Sequence, residues 1–279
     1  IMDCLTTTGF TTPADGTSYV NLSTGAKGTV ATGHTLNVEA CGGSWYRCSI
    51  TFTTDGTDTS GNVEIRVAEA DTDHTVDLDG TSSILIYGAQ FETGSVPSSY
   101  IPTSGATATR NAETYSIAAA NMPSYTTAIS IAMKGMMTYG DNDLQNEVLF
   151  VRWLTDANNY IQHKIRTVGT RVGNPHFIQG VSGTPDLVQG ANNYFSPGVN
   201  VPFNYATAHT SGRINAALDG TALTENATPT ALADLSSATL EMSNSAVFSQ
   251  TYAGNFELIR FWAVDLTDSG IAEASNWSR

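Results

Sequence analysis

Four aspartates cluster between residues 71 and 80, in the run Asp-Thr-Asp-His-Thr-Val-Asp-Leu-Asp-Gly. Carboxylates at this density could bind calcium, which is held by carboxylate and carbonyl oxygens. The spacing is not that of an EF-hand, because Val76 and Ser82 stand where that loop needs glycine and glutamate. Two hypotheses stay open: a solvated acidic loop, which is the ordinary interpretation, or a weak calcium site. The candidate calcium ligands are Asp71, Asp73, Asp77 and Asp79.

Aromatic residues beside amides form a second kind of candidate site. An apolar ring can cover the C–H face of a pyranose while nearby amides meet its hydroxyls. Trp45 alternates onto the strand face opposite Tyr46 and Ile50, and a second group lies in the loops at 192–198 and 203–205. The carbohydrate-binding candidates are Trp45, Tyr194, Phe195 and Tyr205. The same rings could equally fill a core or an intersubunit contact.

Motifs that mark catalysis are absent from the sequence. The five histidines show no His-Glu-x-x-His spacing, and there is neither a Gly-x-Ser-x-Gly element nor a Gly-x-x-x-x-Gly-Lys phosphate loop. Glycoside cleavage needs two carboxylates held roughly 5–10 Å apart in a cleft, and no acidic pair is placed so by the sequence. His163, Arg166 and Arg171 fall in one region, but their spacing is no motif. We therefore expect a protein that is not an enzyme.

Charge narrows the choice of partners. The chain has 279 residues, with 12 basic and 26 acidic ones, for a net charge of −14. A strongly acidic chain lacks the basic footprint that binds nucleic acid or an anionic membrane. No apolar run reaches the roughly 20 residues of a membrane span, and no basic region precedes an apolar one at the start. We expect neither nucleic-acid binding nor membrane insertion.

The cysteines predict free, buried thiols. There are three, and Cys41 and Cys48 bracket a six-residue turn. Cys48 shares the strand face of Tyr46 and Ile50, whereas Cys41 is out of phase with Leu36 and the apolar positions that follow it. Opposite faces do not favour a disulfide, which suits assembly in a reducing cytosol.

Period-two alternation is the dominant pattern and predicts antiparallel β structure. In the first half, strands are predicted around Leu36–Ala40, Tyr46–Phe52, Val63–Val67 and Ile84–Tyr87, separated by Gly- and Asp-rich turns. Residues 1–30 are rich in Thr, Gly and Ser and predict loops and short edge strands. The sequence thus indicates an all-β fold.

The second half repeats this pattern. Strands are predicted from Ile129 and from Val148, with hairpin turns at 156–159 and at Asp219-Gly220. Residues 256–264 form a nearly continuous apolar run, typical of a strand buried between two sheets. A short helix follows, with Thr267 as its expected N-cap. Trp153 and Trp262 lie in apolar strands and are predicted to be core residues.

The junction of the two halves carries a recognisable signature. The runs Tyr-Gly-Ala-Gln-Phe-Glu (87–92) and Ser-Tyr-Ile-Pro-Thr (99–103), followed by Arg110, closely resemble a signature of tailed-bacteriophage structural proteins. The strand Trp45–Thr53 resembles the same family. The resemblance implies a β-sandwich similar to carbohydrate-binding modules, over residues 1–103. Two alternatives stay open for its N-terminal strands: they are missing, or a neighbouring subunit contributes them.

The end of the chain resembles a concanavalin/laminin-G-like jelly roll. The turn Ala-Leu-Asp-Gly (217–220), the strand Gly-Asn-Phe-Glu-Leu-Ile-Arg-Phe (254–261) and the run Leu-Thr-Asp (266–268) occur in the order found there. The resemblance implies two tandem antiparallel β-sandwich domains: residues 1–103, a linker at 104–113, and a jelly roll at 114–279.

The function implied by the resemblance is that of a tail-fibre or head-fibre protein. Such a protein lies on the exterior of the virion after assembly in the host cytoplasm, contacts other virion proteins and bacterial surface polysaccharide, and forms a homo-oligomer, with a trimer favoured. Two alternatives remain: a capsid-decoration or baseplate component that binds only virion proteins, and, ranked last, a polysaccharide depolymerase. Folds of this kind host many functions.

Overall fold

The computed structural model describes residues 2–76, 80, 83–94, 96–109, 115–139, 148–167, 169–242 and 253–276. The chain divides into two compact units, Ile1–Thr93 and Gly94–Arg279. This division falls inside the signature segment and ahead of the linker predicted at 104–113. Among the described residues, no helix combines the length and the apolar character that a membrane span requires.

The first unit contains a four-stranded antiparallel sheet and a separate hairpin. The sheet has the strand order β3-β2-β1-β6, so β1 lies in its interior. The hairpin pairs β4 with β5, and Leu36 lies opposite Ile50. The strands are Met2–Thr8 (β1), Gly16–Asn21 (β2), Ala26–Lys27 (β3), Thr35–Gly42 (β4), Trp45–Thr51 (β5) and Asn62–Ala68 (β6).

A small apolar cluster packs Leu5 and Val20 of the sheet against Leu36 of the hairpin. Cys48 and Ile50, on the same hairpin face as predicted, pack against this cluster. Cys41 and Cys48 form no disulfide with a described residue, but the prediction that the thiols are buried is wrong, because Cys41 is exposed and Cys48 is only half-buried. The sequence-based strands at 36–40, 46–52 and 63–67 are confirmed.

Two strand predictions for the first unit are wrong. Residues 2–8 form an interior strand of the sheet and not a loop or an edge strand. Threonine can be buried there because its hydroxyl is hydrogen-bonded: Thr7 Oγ1 lies 2.9 Å from His34 Nε2. The predicted strand at Ile84–Tyr87 is absent, since residues 83–90 pair with no sheet. Its apolar side chains stay largely in solvent, with Leu85 80% exposed and Tyr87 78% exposed.

The second unit is a sandwich of two antiparallel sheets. One sheet has the order β12-β11-β10-β9-β16-β7 and the other β15-β14-β13-β8-β17. The strands of the first are Tyr115–Ile117 (β7), Val148–Asp156 (β9), Asn159–Arg166 (β10), Asn174–Val181 (β11), Thr184–Gln189 (β12) and Leu240–Met242 (β16). Those of the second are Ala128–Tyr139 (β8), Gly198–Thr210 (β13), Ile214–Leu218 (β14), Thr221–Ala222 (β15) and Ala253–Trp262 (β17). The all-β, two-sandwich prediction is confirmed.

Turn chemistry formed the hairpins that the sequence predicted. Asp219 and Gly220 both have positive φ, 46° and 84°, and join paired strands of the second sheet. This is the conformation that a two-residue hairpin turn needs. Asn158 donates its backbone N–H to Asp156 Oδ1 at 2.7 Å and closes the turn between β9 and β10. The prediction that residues 256–264 form a strand buried between the sheets is wrong. β17 is an edge strand of the five-stranded sheet, and its described side chains are exposed or only partly buried.

The helix Thr267–Ala274 (α1) covers the outer face of the five-stranded sheet. Ile271 packs on alanines of that sheet, and Trp262 is partly buried beside it rather than in the main core. Trp153 is fully buried in the main core, as predicted. Thr267 is the first helical residue and not the N-cap, because the N-cap position is Leu266, which makes no side-chain capping bond.

Arg213 fastens this helix to β14. Its guanidinium donates to both carboxylate oxygens of Asp265 at 2.8 Å and to Asp268 at 2.6 Å. Glu225 accepts a further bond at 3.1 Å. The two bonds to Asp265 and the low exposure of the Arg213 side chain, 18%, make this a specific clamp rather than a loose surface pair.

The core of the second unit holds a chain of buried polar side chains between the sheets. Gln179, from the six-stranded sheet, accepts a bond at 3.2 Å from His209 of the five-stranded sheet. His209 and His163 join Nε2 to Nε2 at 3.0 Å, and His163 Nδ1 lies 3.1 Å from the hydroxyl of Tyr205. All four side chains are fully buried. We call Gln179, His209, His163 and Tyr205 the core relay.

Donor counting fixes the tautomers of the core relay. The Gln179 amide nitrogen donates to the carbonyls of Thr210 and Ala231, both at 2.8 Å, so its oxygen must accept from His209 Nδ1–H. His209 Nε2 is then an acceptor and takes the proton of His163 Nε2. The Tyr205 hydroxyl lies 3.1 Å from His163 Nδ1 and 2.8 Å from Met133 Sδ, and its single proton goes to the imidazole nitrogen, which is a stronger acceptor than a thioether sulfur. Both imidazoles are therefore neutral.

Burial keeps both imidazoles neutral at pH values well below the usual histidine pKa of about 6.5. Desolvation lowers the pKa of His209 to about 3, and desolvation together with the neighbouring His209 lowers the pKa of His163. The unfolded chain binds these protons near pH 6.5. Stability contributed by the relay is thus fully present above pH 6.5 and is lost as pH falls toward the native pKa values.

We expect long-range proton–nitrogen NMR to show His209 protonated at Nδ1 and His163 at Nε2, with a pKa of about 3 for His209 and a pKa well below 6.5 for His163. The free energy of unfolding should fall below pH 6.5 by about 1.4 kcal/mol per pH unit for each histidine. The urea-unfolded protein, whose histidines titrate near pH 6.5, is the control. Ordinary titration of either ring in the native protein would contradict the relay.

The Arg213 clamp gives a second prediction. Arg213→Gln leaves Asp265 and Asp268 without their cation, so we expect a loss of about 2 kcal/mol in the free energy of unfolding. Arg66→Gln is the matched control, because the Arg66–Glu64 pair is a surface pair worth about 0.5 kcal/mol or less. Equal effects of the two substitutions, measured by urea denaturation, would show that the clamp is an ordinary surface ion pair.

Candidate functional site

Two of the four carbohydrate candidates lie at the surface. Trp45 is 46% exposed on the outer face of the β4–β5 hairpin, as predicted. Tyr194 is 38% exposed, and its hydroxyl donates to Asp219 Oδ2 at 3.0 Å. Burial and that bond to Asp219 raise the pKa of Tyr194. Trp45 belongs to the first unit and Tyr194 to the second.

The other two candidates are core residues. Tyr205 is fully buried in the core relay, with its ring centroid 5.3 Å from that of Phe150. Phe195 is 3% exposed and meets Tyr194 edge to face. The prediction of sugar contact by Phe195 and Tyr205 is wrong, because both rings serve the core. Sequence alternation alone could not separate the two roles.

The acidic loop remains an open question. Asp71 accepts bonds from the backbone and hydroxyl of Thr29, at 2.8 and 3.0 Å, and Asp73 accepts similarly from Thr75. Asp77 and Asp79 lie outside the described residues. Within the part of the chain that the structure describes, no three His, Cys, Asp or Glu side chains come together as metal ligands. Calcium binding stays a prediction.

A cleft of about 900 Å³ lies in the first unit, between the loops at 12–17 and 31–35 and the end of β5. Phe52 is its aromatic residue and Asp15 its charged one. Hydroxyl groups make up most of its remaining polar lining, from Thr12, Thr17, Thr32, Thr35, Thr51 and Thr53. These groups are compatible with a polyol but fix no orientation for one.

A more specific arrangement lies on the outer face of the six-stranded sheet. Ile161, His163 and Ile165 of β10 are fully buried in the core, so the alternate residues face outward. Register then places the outward residues of β11 beside them: Lys164 lies opposite His176, and Arg166 opposite Asn174. We call this surface the outer face. Its residues are Tyr160, Gln162, Lys164, Arg166, Asn174, His176, Ile178 and Gly180.

One end of the outer face is apolar and carries an amide. The ring of Tyr160 lies directly over Gly180, where a Cβ would meet ring carbons at 2.5 Å, so glycine is required at this position. Gln162 follows Tyr160 on the same side of β10 and is half-buried. Gln189 of β12 is exposed and pairs with His176, so it places a second amide at the opposite, basic end of the outer face. A ring beside an amide is the combination that suits a sugar.

The other end is basic. Lys164, Arg166 and Arg171 are close enough to His176 to lower its pKa, which desolvation first of all and these cations further bring to about 4. None of the three forms an ion pair with a described residue. Arg152 of β9, which lies opposite Gln162 on this same face, is by contrast 3.5 Å from Glu241. In a chain with a net charge of −14, this concentration of unpaired cations is a local reversal of charge.

Two buried polar atoms at this basic end have no hydrogen-bond partner among the described residues. They are Asn174 Oδ1 and His176 Nε2, on side chains that are each 2% exposed. The Asn174 amide nitrogen donates to the carbonyl of Gly190 at 2.6 Å and to Asn192 Oδ1 at 3.2 Å, which holds its oxygen in a fixed orientation. Unsatisfied buried acceptors cost about 1–3 kcal/mol each. Such atoms therefore indicate a place where a ligand contributes the missing bonds.

Only part of this site can be predicted from the sequence. Arg166 and Arg171 were noted as neighbours of His163, but His163 points into the core and His176 takes its place beside them. Asn192 of the predicted aromatic loop borders the site through Asn174. The missed residues, Asn174 and His176, lie in a strand whose pairing with β10 only the register shows.

Comparison with known proteins gives fold-level likeness only. No protein-family model matches the sequence, and no curated protein matches it. A leech intramolecular trans-sialidase is similar with a TM-score of 0.43 and 13% identity, over 56% of this chain and 24% of that chain. The chain thus spans about a quarter of that enzyme.

Two smaller proteins are similar over about half of this chain. The Ruminococcus gnavus IT-sialidase CBM40 has a TM-score of 0.42 and 11% identity, over 54% of this chain and 84% of that one. CG-16, a homodimeric agglutinin from chicken liver, has a TM-score of 0.36 and 9% identity, over 54% of this chain and 100% of that one. Likeness at this level carries no argument about function.

The electrostatics of the basic end can be tested through His176. Its pKa should be about 4 in the native protein and should rise in Arg166→Gln and in Arg171→Gln, because each removes a nearby positive charge. It should stay below 6.5, since burial remains. NMR titration measures it, with Arg66→Gln of the first unit as the charge-matched control. An unchanged pKa in both variants would place the guanidinium groups away from the imidazole.

Proposed function

We propose that this protein is a non-catalytic bacteriophage virion appendage, of the tail-fibre or head-fibre kind, that contacts a bacterial surface glycan during adsorption. The observation that carries the glycan part is the outer face of the six-stranded sheet. On one surface it joins the Tyr160 ring, the amides of Gln162 and Gln189, and two buried polar atoms without a partner among the described residues. The phage part rests on the signature at residues 87–110.

A binding role suits this chemistry better than a catalytic one. His163 and His209 are enclosed in the core and cannot reach a substrate. His176 is surrounded by cations, so it has no carboxylate partner of the kind that orients a catalytic histidine. Each glycan contact of such an open surface is weak, and a homo-oligomer, for which the fibre resemblance favours a trimer, multiplies it.

A second candidate function has its own observation. In the first unit, Leu85, Ile86 and Phe91 are 80%, 57% and 75% exposed. Apolar residues gathered in one segment favour a contact with another protein. This supports the structural alternative, a capsid-decoration or baseplate component that binds other virion proteins. The two functions are compatible, since they use different surfaces of the chain.

Co-sedimentation of residues 1–279 with intact host cells, before and after enzymatic removal of surface polysaccharide, tests the attachment role. We expect binding that disappears on removal of the polysaccharide. Tyr160→Ala should weaken binding about tenfold or more, because the stacking of the aromatic ring on a sugar is lost. Tyr160→Phe keeps the ring and should bind normally.

Trp45→Ala and Tyr194→Ala serve as comparison variants at the two exposed rings that the sequence predicted as sugar contacts. We expect little change from either. Loss of binding in Trp45→Ala alone would move the glycan site to the first unit. Absence of cell binding at concentrations high enough to offset lost multivalency would contradict attachment and leave the virion-structural role as the account of this protein.

A further inference from the structure

We propose that the basic end of the outer face binds a carboxylated sugar, of the uronic or sialic acid class, through Lys164, Arg166, Arg171, Asn174 and His176. This inference rests on the proposed glycan-binding function and specifies its ligand. Nothing in the sequence pattern alone assigns these five residues to a site. The case is built from charge, from hydrogen-bonding capacity and from position on the sheet.

The charge argument calls for an anion. Lys164, Arg166 and Arg171 lie together without an acidic partner among the described residues, in a chain with more than twice as many acidic as basic residues. Burial and the neighbouring Arg166 lower the pKa of Lys164, which shows that these charges repel each other. An arginine fork matches a carboxylate in two parallel hydrogen bonds. A ligand carboxylate would remove the repulsion.

The hydrogen-bonding argument calls for a hydroxyl on the same ligand. Asn174 Oδ1 is a buried acceptor without a donor, and its amide nitrogen is already committed to Gly190 and Asn192. A carboxylate or sulfate is acceptor-only and cannot satisfy it. An alcohol can donate to Asn174 Oδ1 and also meet the unpartnered His176 Nε2. A ligand with a carboxylate and neighbouring hydroxyls is a sugar acid.

The position of the site lets a longer glycan continue beyond the sugar acid. From the basic end, the outward residues of β10 run back through Gln162 to the Tyr160 ring. Successive outward residues on a strand are about 6.5–7 Å apart. Lys164 to Tyr160 therefore spans about 13 Å, enough for roughly two more sugar rings. The acidic residue would be fixed by charge, and its neighbours by amide bonds and stacking.

The test uses pairs of polymers that differ only in the carboxylate. Polygalacturonate, alginate and polysialic acid oligosaccharides are each titrated into residues 1–279 by calorimetry, beside their carboxyl-reduced, neutral forms. We expect at least one acidic oligosaccharide to bind at least tenfold more tightly than its reduced form. Dextran sulfate, a polyanion without carboxylates, should bind more weakly than that oligosaccharide.

Two variants assign the effect to the residues. The double variant Arg166→Gln, Arg171→Gln should lose tenfold or more in affinity for the acidic form and little for the neutral one. Lys27→Gln with Arg66→Gln removes the same charge from the first unit and should change nothing. Asn174→Ala should weaken the acidic and the neutral forms alike, because it removes the acceptor for a hydroxyl.

The outcomes separate this inference from the proposed function. If cells bind through polysaccharide but the arginine double variant binds them normally, glycan attachment stands and the sugar-acid site is overturned. Failure of all three acidic polymers to bind overturns the inference as well. Tight binding of dextran sulfate, equal to that of the acidic sugars, would reduce the site to non-specific charge attraction and contradict the role of Asn174.

Discussion

The arrangement of the second unit depends on a buried hydrogen-bonded chain that crosses between its two sheets. Gln179 and His163 belong to one sheet, and His209 and Tyr205 to the other. Hydrophobic side chains alone tolerate sliding of one sheet over the other, but a fully buried polar chain is satisfied in only one alignment. The two carbonyls that accept from Gln179 set the direction of every donor in it. The relay therefore specifies the alignment of the sheets, and this specificity costs stability in acid.

That inward constraint determines what the outer face presents. Side chains of a strand alternate, so fixing His163 and Gln179 inward fixes Lys164 and His176 outward. A slip of one residue would bury the cations and expose the relay, which the desolvation of charge forbids. The opposite sheet has small residues on its outer side and is covered by α1. The two sheets thus divide the work: one is closed by a helix, and the other offers polar side chains to a ligand.

The fold class could be predicted from the sequence because alternation and turn residues are local signals. These signals predicted β4–β6, β8–β10 and the Asp219-Gly220 hairpin. It failed where the outcome depends on distant partners. Thr7 can be buried because its hydroxyl is hydrogen-bonded to His34, which is 27 residues away in the sequence. Ile84–Tyr87 lies outside the sheets despite its apolar pattern. Tyr205 and Tyr194 look equivalent in sequence, yet one is core and the other surface. The candidate site needed the pairing of β10 with β11, and no local pattern encodes that register.

The most direct measurement is NMR mapping of an acidic oligosaccharide, one that calorimetry has shown to bind, on isotope-labelled protein. The account predicts that side-chain signals of Arg166, Asn174 and His176 shift together and saturate at one dissociation constant. The tautomer signals of His163 and His209, on the inward side of the same sheet, should stay unchanged. Shifts confined to the surroundings of Trp45 or Tyr194, with His176 unaffected, would contradict the assignment of the outer face as the ligand-binding surface.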